Sequence, residues 1–125
     1  MNMEINKLAA EIHANAKSKG FYDEPKNIGE MLCLIHSEVS EALECDRKDK
    51  YCTNELAQAV FNESNDEIFK INFKSMVKDT FPAELADIII RVCDLAEFKG
   101  VDLELFIMCV MRNNSLREYK HGKKY

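Results

Sequence analysis

Apolar residues in this chain recur mainly at the three- and four-residue steps of an α-helix. Four segments carry that pattern and predict helices over 4–19, 28–45, 81–99 and 103–117. In the first, Ile5, Leu8, Ala9, Ile12 and Ala16 form the stripe, and Gly20 is a natural stop. In the second, Ile28, Leu32, Ile35, Val39, Ala42 and Leu43 share one face behind Asn27, a good N-cap. The fourth starts after Asp102, another cap, and should bury Leu103, Phe106, Ile107, Val110 and Met111. The short link KGVD makes the third and fourth helices antiparallel neighbours. Residues 46–80 hold apolar fragments at Leu56, Val60 and Phe61, then at Ile68, Phe69, Ile71 and Phe73. That stretch is too aromatic for a disordered linker and predicts one or two short helices. The expectation is one all-α domain over 1–125, of four-helix-bundle type, with a helical segment between its second and third main helices.

The third segment, FPAELADIIIRVCDLAEFK, breaks the amphipathic rule. Phe81, Leu85, Ile88, Val92, Leu95 and Ala96 take one side of the helix, and Ile89, Ile90 and Cys93 cover most of the rest. One small bundle cannot cover so apolar a rod, so a homodimer or a dimer of dimers is expected to bury its outer face. The remaining sector holds Glu84, Asp87, Arg91 and Asp94. Burying a carboxylate without a partner costs several kcal/mol or more, roughly, so a cation must be near. Arg91 answers one carboxylate and leaves two.

The second helix adds acids at the shoulder of its apolar face. Glu38 and Glu41 stand three residues apart, as Glu84 and Asp87 do. On a helix that spacing aims both carboxylates the same way, their Cβ atoms about 5–6 Å apart. If the two shoulders face each other, four carboxylates meet, and all-oxygen ligands favour Mg²⁺, Mn²⁺ or Ca²⁺. Glu44 continues the series but drifts outward around the helix. A solvated acidic face is the plain reading of either pair alone; the match between two helices argues for convergence.

These pairs, E-x-x-E and E-x-x-D on two helices, resemble the signature of the MazG-like all-α nucleoside triphosphate pyrophosphohydrolases. KGFYDEPKNIGEMLCLIHSEVSEALE resembles the first two helices of that family, ELADIIIRVCDLA the third, and MRNNSLREYKHGKK the end of the fourth. The likeness covers most of the chain except 46–80, which by that comparison is an insertion. It implies a Mg²⁺-dependent enzyme, with Mn²⁺ as a substitute, that splits a nucleoside triphosphate into monophosphate and pyrophosphate. Glu38, Glu41, Glu84 and Asp87 would hold the metal, and Glu38 or Glu41 would accept the proton of the attacking water. Asn114 and Arg117 match the family's N-x-x-R and, with Lys120, would bind the substrate's phosphates or sugar. Relatives often carry a lysine one turn before that asparagine; this chain has Val110. His13 reads either as a half-buried histidine with one hydrogen bond or as a nucleotide contact. Of the adjacent rings in the next loop, Phe21 is expected to pack inward, while Tyr22 could equally stack on a base, an alternative that the resemblance supports. On resemblance alone the substrates are deoxynucleoside triphosphates with a modest pyrimidine lean.

Composition trims the alternatives. A net charge of −5 argues against general nucleic-acid binding. The end is the exception: RNNSLREYKHGKKY has five Lys or Arg against one acid, and with His121 and Lys123 it would suit a polyanionic substrate. Lys74 and Lys78 read as solvated side chains or as phosphate contacts. No apolar run reaches the ~18–20 residues that span a membrane, and MNMEINKLAAEIH lacks a signal-peptide core, so a cytoplasmic protein without membrane partners is expected. Five cysteines with no CxxC pair read as reduced thiols, with Cys33, Cys93 and Cys109 in the core. The rival reading is a non-catalytic helical interaction or regulatory module, its acids merely surface charge or salt bridges such as Asp87–Arg91.

Overall fold

Helical periodicity and capping residues translate into helices with little slippage. The structure is a computed structural model that describes residues 4–124, and of residues 121 and 122 the backbone alone. Among these residues run α1 (Ile5–Ser18), α2 (Ile28–Arg47), α3 (Asn54–Phe61), α4 (Asp66–Met76), α5 (Phe81–Phe98) and α6 (Leu103–Ser115), then a 3₁₀ turn at Tyr119–Gly122. The described residues contain no strand. Each of four starts is capped by a short polar side chain that accepts a backbone N–H three residues on. Asn27 takes Glu30 N, Thr53 takes Leu56 N, Asn65 takes Ile68 N and Asp102 takes Leu105 N. Gly20 and Gly100 close α1 and α5 with φ of 85° and 67°, a left-handed turn that costs a glycine nothing.

The chain divides into two compact units, one of Lys26–Arg91 and one of Met1–Pro25 with Val92–Tyr125. In the first, α2 and the start of α5 run antiparallel and are tied near both ends. Phe81 N donates to Lys50 O at 2.8 Å, the Tyr51 ring stacks on Phe81, and the Cys45 thiol donates to Asp79 O at 3.4 Å. Further along, Arg91 of α5 reaches Glu38 of α2. The 46–80 stretch folds as the short helices α3 and α4, packed on each other, with Val60 buried between capped ends. Asp79, in the left-handed region at φ 59°, turns the chain from α4 into α5.

In the second unit, α1 and α6 meet at their N-terminal ends. Asn6 N donates to Glu104 Oε1 at 2.8 Å, Glu104 N donates to Asn6 Oδ1 at 3.2 Å, and Asn6 Nδ2 donates to Asp102 Oδ1 at 2.7 Å. The later part of α5 meets α1 through Asp94, and at the KGVD link Val101 N donates to Ala96 O at 2.8 Å as the chain leaves α5.

The core is where expectation and structure part. The fully buried apolar residues are small: Ala9, Ala42, Cys45, Val60, Cys93 and Ala96. α2 turns Glu38, Ala42 and Cys45 inward, so Leu32, Val39 and Leu43, expected at the centre of its buried face, stand about half exposed. On α5, Leu85, Ile89 and Ile90 are likewise uncovered; on α6, Phe106, Val110 and Met111 are exposed rather than buried. Cys33 and Cys109 are exposed too, and the buried pair is Cys45 with Cys93. The reason is rotational: these helices carry more apolar surface than the neighbours they meet cover.

Candidate metal centre

Three of the four acids expected on α2 and α5, Glu38, Glu84 and Asp87, come together, all within the unit Lys26–Arg91, and Glu41 does not join them. Glu38 is 8% exposed and Glu84 4%. With Asp87, which is exposed, they offer one carboxylate oxygen each, all within 4.8 Å of one another. Oε2 of Glu38 and Oε2 of Glu84 are both buried and have no hydrogen-bond partner. Two orphaned carboxylate oxygens in a small domain are costly, because an unpaired buried charge loses its hydration without return. Only a proton or a cation can satisfy them. Glu41 stands one turn further along α2, exposed, and its charge acts on Glu84 from the rim.

The protein's own cation falls short. Arg91 donates from Nε to Glu38 Oε1 at 3.1 Å and leaves the other two carboxylates unanswered. Its partner is Glu38 across the helix pair, not Asp87 one turn back. Charge is therefore divided unequally. Burial pushes the Glu84 carboxyl up to about 8, and the neighbouring Glu38 and Glu41 carboxylates push the same way. Burial also acts upward on Glu38, but hydrogen bonding to Glu84 and Arg91 outweighs it and the net direction is down. Asp87 is raised by burial first and by the Glu38 charge second, with Arg91 opposing. Near neutral pH Glu84 thus keeps a proton and Glu38 gives its proton up, so the pair shares one proton where a cation would otherwise sit.

The donor set fits a hard divalent cation: three carboxylates from two helices with one oxygen each within 4.8 Å, two of them on buried side chains, and a fourth acid at the rim. Beneath it, the Cys45 thiol is held up by burial and by the Glu84 charge, and so remains a neutral thiol beside the acids.

The other expected site residues lie in the second unit. His13 Nδ1 is 2.8 Å from Asp94 Oδ1, and the Tyr22 hydroxyl donates to Asp94 Oδ2 at 2.6 Å. The Tyr22 ring meets His13 edge-on at 4.6 Å and lies 5.0 Å from Phe98. Of the two adjacent rings it is Tyr22 that packs and Phe21 that is exposed, the reverse of expectation. Asp94, which the sequence groups with the acids of α5, is the carboxylate that holds this knot together. Its helical angle is shared with Asp87, so only the tertiary partner separates the two roles. Burial and the Asp94 bond drive the Tyr22 hydroxyl far above its ordinary range. Asn114, Arg117 and Lys120 are exposed at the end of α6 and in the segment after it, with the Lys120 ammonium 5.8 Å from the Tyr119 ring. The expected contribution of the His121 side chain lies outside the described residues.

No family model, no curated protein and no solved structure matches the chain.

Proposed function

We propose that this protein is a metal-dependent nucleoside triphosphate pyrophosphohydrolase of the MazG-like kind, cleaving between the α and β phosphates. One observation carries the proposal: Glu38, Glu84 and Asp87 bring one carboxylate oxygen each to one point, within 4.8 Å of one another, and among the described residues the buried Glu38 and Glu84 have no cation there except Arg91 on Glu38. A helical interaction module has no use for such a point; an enzyme that handles polyphosphate does. Glu38, Glu84 and Asp87, with Glu41 at the rim, are the ligands for Mg²⁺ or Mn²⁺. When bound, such an ion supplies charge neutralisation at phosphate oxygens and acidifies a bound water. Glu41, exposed and beside the buried pair, is placed to accept the water proton. Asn114, Arg117 and Lys120 supply donors for phosphate or sugar. Tyr22 already gives its hydroxyl to Asp94, so any contact it makes with a base is through its ring, whereas His13 engages Asp94 through Nδ1 alone and keeps Nε2 for a base edge.

The half-exposed apolar rows of α2, α5 and α6 support a homodimer or a dimer of dimers as the working form. Among the described residues no helix is long and apolar enough to cross a membrane. Five free cysteines, two of them exposed, suit a reducing compartment such as the cytoplasm. The substrates proposed are deoxynucleoside triphosphates. The test is pyrophosphate release from the eight common nucleoside triphosphates with Mg²⁺ or with EDTA. Mg²⁺-dependent release, strongest with a deoxypyrimidine nucleotide, is expected. Absence of release from every nucleotide overturns the enzyme reading, and a strong preference for a purine ribonucleotide overturns the substrate assignment.

A further inference from the structure

Arg91 is the one cation of the carboxylate cluster, and its geometry suits a temporary post. Among the described residues no other lysine or arginine pairs with Glu38, Glu84 or Asp87. It touches Glu38 through Nε alone at 3.1 Å, so the two Nη groups are left for other acceptors. Its side chain is 40% exposed while that of Glu38 is 11% exposed, so the guanidinium bridges the buried acid and open solvent. Arg91 also stands one turn from Asp87 on α5, on the side that the ligands face.

A divalent ion among these carboxylates and a guanidinium on Glu38 compete for the same negative charge. In a partly buried setting, repulsion between a dication and Arg91 at a few ångströms is large. What Arg91 gives in return, one glutamate held in place, is small by comparison. The pair as it stands therefore weakens cation binding. A triphosphate changes the balance, because its oxygens offer a guanidinium the forked, doubly hydrogen-bonded contact that Glu38 does not supply here.

We infer that Arg91 has two positions: counter-ion of Glu38 in the protein without ligands, and polyphosphate ligand once cation and nucleotide are both bound. Its departure frees Glu38 Oε1 for the cation, so cation and nucleotide each raise the affinity of the other. The inference rests on the pyrophosphohydrolase reading of the same site and adds a phosphate-binding residue and a binding order to it.

The test is Mn²⁺ binding to the full chain, followed by electron paramagnetic resonance, with and without an α,β-methylene deoxynucleoside triphosphate. Wild type is expected to bind Mn²⁺ weakly alone and at least about tenfold more tightly with the analogue. Arg91→Met is expected to bind Mn²⁺ alone at least about tenfold more tightly than wild type. It should bind the analogue at least about tenfold more weakly, with most of the coupling gone; Arg91→Lys should keep part of it. A merely structural arginine would not tighten metal binding on removal. Equal or weaker Mn²⁺ binding by Arg91→Met overturns the inference while leaving the metal centre intact. So does an Mn²⁺ affinity of wild type that the analogue leaves unchanged, a measurement that needs no variant to fold. Absence of any Mn²⁺ binding by wild type overturns the metal reading itself.

Discussion

At the scale of single residues, the carboxylates divide by what answers them. Asp94 is met by His13 and Tyr22, Glu38 by Arg91, and Glu84 by nothing but a shared proton. Removing a ligand should therefore cost activity without costing the fold. Glu38→Gln, Glu41→Gln or Asp87→Asn is expected to lower pyrophosphate release by at least about 100-fold through weakened metal binding. Near-wild-type turnover with unchanged Mg²⁺ dependence would remove these residues from the ligand set. Glu84 yields a pH signature as well. Its pKa in the folded protein, about 8, lies above its ordinary value of 4.5, so its contribution to stability is complete below pH 4.5 and is lost as pH rises through about 8. Glu38 has the opposite sign: its contribution is present above its ordinary value and is lost on acidification. In EDTA, Tm should fall between pH 5 and 8, while Glu84→Gln, which mimics the protonated group, should flatten that slope. Saturating Mg²⁺ should flatten it too, by taking the proton's place. A wild-type slope identical to that of Glu84→Gln would contradict the assignment of the proton to Glu84.

At the scale of elements, short polar side chains do much of the positioning. Asp102 caps α6 and also accepts from Asn6 of α1, so one carboxylate both starts a helix and joins it to another. These two bonds, with Leu105 N and Asn6 Nδ2, hold its carboxyl below the ordinary range. Asp102→Ala should destabilise the protein, read as a lower urea midpoint at constant slope. An unchanged midpoint would mean that water replaces the cap at no cost. The elements themselves were readable in advance, because caps and three-to-four periodicity are local signals. Asn27, Gly20, Gly100 and Asp102 mark the boundaries they were expected to mark, within two residues. The rotation of each helix was not. α2 presents Glu38 inward and Val39 half outward, though Val39 is the more apolar, and Arg91 of α5 is the partner that meets Glu38 there.

At the scale of the molecule, the uncovered apolar surface dominates. No large side chain among the described residues is fully buried, while Leu32, Val39, Leu43, Leu85 and Ile89 are each about half exposed. On the proposed assembly a second copy of the chain covers these rows, and sedimentation should then show a dimer or tetramer at micromolar concentration. Leu32→Lys with Val39→Lys should shift the protein toward monomer. A stable, active wild-type monomer would refute the assembly. Charge is unevenly spread as well, with the basic end after Met111 set in a chain of net charge −5.

What the sequence determined by itself is the set of helices, their caps, and the fact that α2 and α5 each aim two acids along one side. Those features follow from backbone geometry and from neighbours within four residues, so they are complete in the chain before it folds. Partner choice belonged to the tertiary structure. It assigned Arg91 to Glu38 rather than to Asp87, gave Asp94 to His13 and Tyr22, packed Tyr22 and exposed Phe21, and left half of each apolar face open. Each of these depends on how far a helix is turned against residues tens of positions away. A rotation of some 40–60° exchanges one neighbour for the next at almost no local cost.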